Sequence, residues 1–79
     1  MSRTFDARRH EALRAFLVER RKIAGLRQVD LTKRLGHSQS YVSHIEIGQK
    51  HVALIELIEW AEAIGFDPEE AITEIAKIK

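Results

Sequence analysis

The chain contains no cysteine, so neither a disulfide framework nor a cysteine-ligated zinc site can hold it together. It has one proline and four glycines, and no linker, repeat or low-complexity tract. No apolar run approaches the ~18 residues of a membrane span. The charged stretch from Arg3 to Arg9 has no apolar segment behind it of the kind a signal peptide needs. Paired carboxylates, a nucleophile beside a base and a glycine-rich phosphate loop are all missing, which argues against an enzyme. What is present is a globular composition, 44% hydrophobic and 32% charged over 79 residues. That length gives room for one small domain with a thin core, which a second copy of the chain could supplement. The expected location is the cytoplasm, and nothing calls for a metal or other cofactor.

The net charge of +1 conceals a division. Residues 1–51 carry eleven Lys/Arg against five Asp/Glu, giving +6; residues 52–79 carry two against seven, giving −5. A basic front half suggests a face for a polyanion such as nucleic acid.

Gly25, Gly36, Gly48 and Gly65 each close a segment of helical periodicity, as residues just past helix ends do. Asp67-Pro68-Glu69-Glu70 reads as an N-cap acid, a proline at the first helical position and an acid at N3. This punctuation predicts five helices. The first runs from about Asp6 to Ala24, with Leu13, Phe16, Leu17 and Ile23 apolar. The second runs from Gln28 to Leu35, and the third from Gln39 to Ile47 with Ser38 as its cap. The fourth runs from Leu54 to Ile64, with Leu54, Leu57, Ile58, Ala61 and Ile64 on one face. The fifth runs from Pro68 to the end, with Ile72, Ile75 and Ala76 inward.

Helices two and three are joined only by Gly36, His37 and Ser38, a turn short enough to force a steep crossing. Helix three is unusual. From Ser38 to His44 it reads Ser-Gln-Ser-Tyr-Val-Ser-His, with one aliphatic residue and no Lys, Arg, Asp or Glu. A merely solvated face would use Glu and Lys, which form helices better. Gln, Ser and His suit the reading of base edges in a major groove.

Residues 25–50, GLRQVDLTKRLGHSQSYVSHIEIGQK, carry Gly25-Leu26, Gln28, Leu31, Leu35-Gly36, Ser38, Val42, Ser43, Ile45, Glu46 and Gly48 in a pattern that resembles the phage repressor and Cro family, also called the xenobiotic response element (XRE) family. The resemblance covers about residues 13–70. It implies an all-α, five-helix bundle of the lambda-repressor-like type with a helix-turn-helix in helices two and three. By this resemblance Gln39, Ser40 and His44 face DNA bases. Arg27, Gln28, Ser38, Tyr41, Ser43, Gln49 and Lys50 meet the DNA backbone, with His51 beside them in the same loop. Arg21 and Glu46 occupy positions of a structural ion pair.

Three positions depart from the family pattern. Arg27 replaces the usual Thr or Ser cap, at a loss of ~1 kcal/mol, but adds a cation beside the expected phosphate. Thr32 stands where alanine is common, and its hydroxyl needs a partner such as the carbonyl one turn back. Ile47 replaces a polar or basic residue next to the expected DNA face.

Other features have plainer readings. His37, His44 and His51 fall seven apart, which on a helix is about 10 Å along the axis and too far to share an ion. Trp60 serves core or dimer packing. Glu56, Glu59 and Glu62 read as a solvated face. The resulting expectation is one domain over residues 1–79, with the helix-turn-helix core at about 25–50 and helices four and five, about 53–79, for dimerisation. It would bind double-stranded DNA sequence-specifically as a homodimer on a palindromic operator, repressing or activating transcription, at the nucleoid when bound. Trp60, Ile72, Ile75 and Ile78 are the expected dimer contacts. Two rival readings are an antitoxin that neutralises a toxin partner and a restriction–modification controller, each with autoregulation through DNA.

Overall fold

The computed structural model describes residues 7–78 and contains five α-helices with no strand among them. They are α1 (Ala7–Ile23), α2 (Gln28–Leu35), α3 (Gln39–Glu46), α4 (Leu54–Ile64) and α5 (Pro68–Ala76). The expected start of α1 at Asp6 and the chain end at Lys79 lie outside the described residues.

The local signals act as their chemistry dictates. Arg20, Arg21 and Lys22 fill the last turn of α1, where cations suit the carbonyl end of the helix dipole. The Asp67 carboxylate accepts from the Glu69 N–H at 2.9 Å, and Pro68 follows at the start of α5. At the end of α2, Gly36 adopts φ +73°, and the N–H groups of Gly36 and His37 both donate to Thr32 O. The chain can therefore reverse within three residues and start α3 at a steep angle.

Each helix gives one stripe to a common core. Leu17, Leu31, Val42, Ile45, Trp60 and Ala71 are fully buried, Leu57 and Ile64 nearly so. Leu13, Phe16, Leu26, Leu35, Tyr41, Val52 and Phe66 close the edges. Helix α2 packs on α3 and α4, while α1 lies against α3, α4 and α5. None of the two eight-residue helices could persist alone; the shared core supplies their stability.

Four apolar expectations are corrected. Ile23 is 73% exposed although it shares Phe16's side of α1, because α5 begins there with Asp67, Glu69 and Glu70 instead of apolar residues. Leu54 is 63% exposed, since the first residue of α4 overhangs the end of the core. Ile72 and Ala76 are exposed rather than inward. They border an apolar groove with Arg9, Leu13, Leu57 and Ile75 that no element among the described residues covers.

Candidate nucleic-acid interface

The orientation of α3 follows from its buried face. Val42, Ile45 and Glu46 point inward at spacings of three and four. Gln39, Ser40 and His44 are consequently on the outside and exposed, with Ser43 half-buried. Ile47, 55% exposed, extends the Ser40–His44 stripe by one more turn. The Ser38 hydroxyl accepts from the Tyr41 N–H at 3.2 Å and so caps the helix; Ser40 Oγ lies 3.3 Å from Ser38 Oγ.

From behind, α3 is held by one carboxylate. Arg21 Nε donates to Glu46 Oε2 at 2.7 Å and Arg21 Nη2 to Oε1 at 3.0 Å, with both residues buried. Arg21 Nη1 also donates to Leu26 O at 2.7 Å. Gln28 Nε2 donates to Glu46 Oε1 at 2.8 Å, so this glutamine braces Glu46 and keeps one amide proton for an outside acceptor. The pair is thus two-pronged and surrounded by further donors and acceptors, the condition under which buried charges are tolerated. Arg14, which sequence reasoning passed over, donates to Glu46 O at 2.9 Å at the carbonyl end of α3. Its signal was its place two turns before Arg21 on the same side of α1. Gly48, at φ +86°, lets the chain turn away here, and a Cβ on it would stand 3.0 Å from Arg14 Nε.

At the other end of the face a second carboxylate gathers the contacts. The Tyr41 hydroxyl donates to Glu56 Oε2 at 2.9 Å and accepts from Trp60 Nε1 at 3.3 Å. The Tyr41 ring stacks on His37, with centroids 3.9 Å apart. Lys50 Nζ donates to Glu56 Oε2 at 3.1 Å and lies 5.7 Å from the centre of the Tyr41 ring. The Ala53 N–H donates to Glu56 Oε1 at 2.9 Å, which gives α4 half of a capping box. Burial pushes the Tyr41 phenol up to about 12, with neighbouring Glu56 adding to the effect. Burial also raises Glu56, but the Ala53 N–H, the Lys50 ammonium and the Tyr41 hydroxyl together bring it below the usual carboxylate range. Glu56 is therefore not part of a solvated acidic face. The signal that could have found it is its place three residues after the Ala53 cap position.

Trp60 requires a correction. It is fully buried in the single chain and its indole N–H is engaged by Tyr41, so it has no surface to offer a second copy. Ile72 and Ile75 border the open groove, and the carbonyl of Ile78 accepts from Arg9 at 3.0 and 2.7 Å.

At the start of α2, arginine has no acceptor and cannot cap. Asp30 acts in reverse, accepting from the Arg27 N–H at 2.8 Å and from the Arg27 guanidinium at 3.1 Å. That guanidinium, hydrogen-bonded to Asp30, holds the carboxyl down at about 2. Thr32 Oγ1 is buried and, among the described residues, has no hydrogen-bond partner; the carbonyl one turn back does not serve it. Gln49, Lys50 and His51 are exposed in the loop after α3. His51 stacks on His10 with centroids 4.2 Å apart. Among the described residues no three histidine, aspartate or glutamate side chains gather as a metal site, and no helix is long and apolar enough to cross a membrane.

A short turn, a braced helix and an exposed uncharged polar stripe form the frame of a helix-turn-helix, and comparison with known proteins agrees. A family model described as "Helix-turn-helix" matches residues 17–70. A curated HTH-type transcriptional regulator of Sinorhizobium fredii, y4dJ, is 38% identical over 53 residues, which span 67% of this chain and 69% of that protein. The solved structure of an XRE-family like protein from Pseudomonas syringae pv. tomato superposes with a TM-score of 0.83 at 34% identity, covering 90% of this chain and 87% of that one. The clp gene regulator ClgR from C. glutamicum gives 0.78 at 29% identity, with 87% and 90% covered. The restriction-modification controller protein C.AhdI from Aeromonas hydrophila gives 0.72 at 32% identity, with 78% and 94% covered. The chain belongs to the XRE-type helix-turn-helix family of transcriptional regulators, whose chemistry is binding and not catalysis.

Proposed function

We propose that this chain binds double-stranded DNA as a homodimer and regulates transcription by selecting an operator with two-fold symmetry. One observation carries the reading. Gln39, Ser40 and His44 stand exposed on α3, while the opposite side of that helix is fixed by Val42, Ile45 and the buried Glu46. Such side chains on a rigid helix can enter a major groove and read base edges, and glutamine can bond an adenine at two points. Arg27, Ser38, Ser43, Gln49, Lys50 and the second amide proton of Gln28 supply donors for flanking phosphates. Tyr41 contributes through packing, because its one hydroxyl proton is engaged by Glu56. Affinity then comes mainly from counterion release and preference from α3.

A second copy has a place to dock. The groove lined by Leu13, Ile72 and Ile75 is largely apolar and uncovered by any other described residue. Two recognition helices one DNA turn apart would multiply the few base pairs that one helix reads. The likeness to the controller protein C.AhdI supports a more specific second reading, control of a restriction–modification system.

Fluorescence anisotropy with DNA from upstream of the gene, run beside a scrambled duplex at several salt concentrations, tests the proposal. Tighter binding to the native duplex at physiological salt is the expected result. Equal, steeply salt-dependent binding to both would deny that duplex as the operator. No binding at low salt would overturn the DNA reading and favour a protein partner.

A further inference from the structure

We propose that Glu56 is a positioning residue of the DNA interface: its carboxylate, by holding Lys50, fixes a phosphate-contacting ammonium in place, so that loss of this negative charge weakens DNA binding. The inference rests on the DNA-binding reading above.

The geometry is that of a clamp behind the contact surface. Glu56 comes from α4, Tyr41 from α3, Lys50 and Ala53 from the intervening loop, and all three donate to the one carboxylate. Its side chain is 19% exposed and that of Lys50 is 44% exposed, so the carboxylate sits beneath and the ammonium above. Lys50 Nζ also lies 3.3 Å from His51 O. An ammonium has three protons. Both Glu56 oxygens and His51 O lie within 3.3 Å of Lys50 Nζ, so an arriving phosphate would take the proton now given to His51 O or the one shared between the two carboxylate oxygens. A lysine side chain is among the most freely rotating, and holding it before DNA arrives removes an ordering cost from the binding step. The Tyr41 ring and the fully buried Trp60 anchor the carboxylate itself to the core.

The sign of the effect separates positioning from plain electrostatics. An acid near a polyanion repels it, so removing the charge of Glu56 should tighten binding if nothing else mattered. Positioning predicts the reverse. The probe is a fluorescein-labelled duplex of random sequence at low salt and then over a salt series, titrated with wild type, E56Q, K50M and the double variant, each first shown to be folded by circular dichroism. E56Q is expected to bind about three- to tenfold more weakly, with a salt slope shallower by about 1. Adding K50M to E56Q should then change neither quantity. Unchanged or tighter binding by E56Q overturns the proposal, as does a K50M loss as large in E56Q as in wild type. Should E56Q fail to fold, E56D keeps the charge but withdraws it by one methylene, and wild-type affinity in E56D overturns the proposal. Failure of wild type to bind any duplex overturns the DNA reading and this inference with it, whereas a bound wild type with an unaffected E56Q overturns the inference alone.

Discussion

Arg21 and Glu46, 25 positions apart in sequence, meet through two nitrogens and two oxygens at 2.7 and 3.0 Å, and each is under a tenth exposed. Removing one charge leaves the other buried without compensation. We predict that Glu46→Gln lowers stability by about 3 kcal/mol. Urea or thermal melts check this, and an unchanged midpoint would show that water reaches Arg21. Because Gln28 donates to the same carboxylate, Gln28→Ala should cost less in a Glu46→Gln background than in wild type.

The alkaline limit of stability should belong to Tyr41. Its phenol is pushed up to about 12, above the ordinary tyrosine value near 10 in the unfolded chain. The folded state therefore holds its proton when the unfolded state has lost it. Its contribution is complete below about pH 10 and disappears as pH climbs from there to about 12. The chain has one tyrosine, so ultraviolet difference absorbance reports this group without ambiguity. Ionisation near pH 10 in the folded protein would refute the prediction. At the acid end, the depressed carboxyl of Asp30 gives a contribution present above its unfolded value and lost as pH falls through about 2.

Gly48 and Gly36 both have positive φ, but their surroundings differ. A Cβ at Gly36 meets nothing within 4 Å, whereas one at Gly48 stands 3.0 Å from Arg14 Nε. We expect Gly36→Ala to cost about 1–2 kcal/mol from backbone strain alone, and Gly48→Ala to cost more. Truncating Arg14 to alanine should remove the difference. Equal melting shifts for the two glycine variants would show that Arg14 yields freely.

The groove beside α5 gives a prediction about assembly. Ile75→Lys places a charge at its edge and should move the sedimentation coefficient from that of a dimer to that of a monomer. The melting temperature of the wild type should then rise with concentration and that of the variant should not. Identical sedimentation of the two proteins would count against α5 in the proposed dimer interface.

Much of the fold was legible because its signals are local. Gly36, Gly48, Ser38 and the Asp67-Pro68 pair act within a turn of themselves, and α2, α3 and α4 begin and end within a residue of where such signals put them, whereas α5, which has no stop signal after it, ends at Ala76 instead of running to the chain end. Burial was less legible. Periodicity gives the side of a helix that is apolar but not how far its neighbour extends, which is why Ile23 and Leu54 lie outside the core. Trp60 was ambiguous because a core and an interface ask for the same apolar bulk. Glu56 was misread for a related reason. Its spacing with Glu59 and Glu62 describes a helix face, while its partners Tyr41 and Lys50 come from other elements and leave no periodic trace. The brace made by Arg14 and Gln28 is long-range in the same way.

The bracing of α3 from behind also bears on how such a protein changes over generations. Gln39 and His44 make no side-chain hydrogen bond to the rest of the described chain, and among the described residues the Ser40 hydroxyl hydrogen-bonds with its neighbour Ser38 alone. Folding depends on Val42, Ile45 and Glu46 on the opposite side. Substitutions at the three outward positions can therefore accumulate with little penalty in stability. A lineage could exchange one operator for another while the scaffold stays fixed, so inheritance of the fold and inheritance of the target are separable.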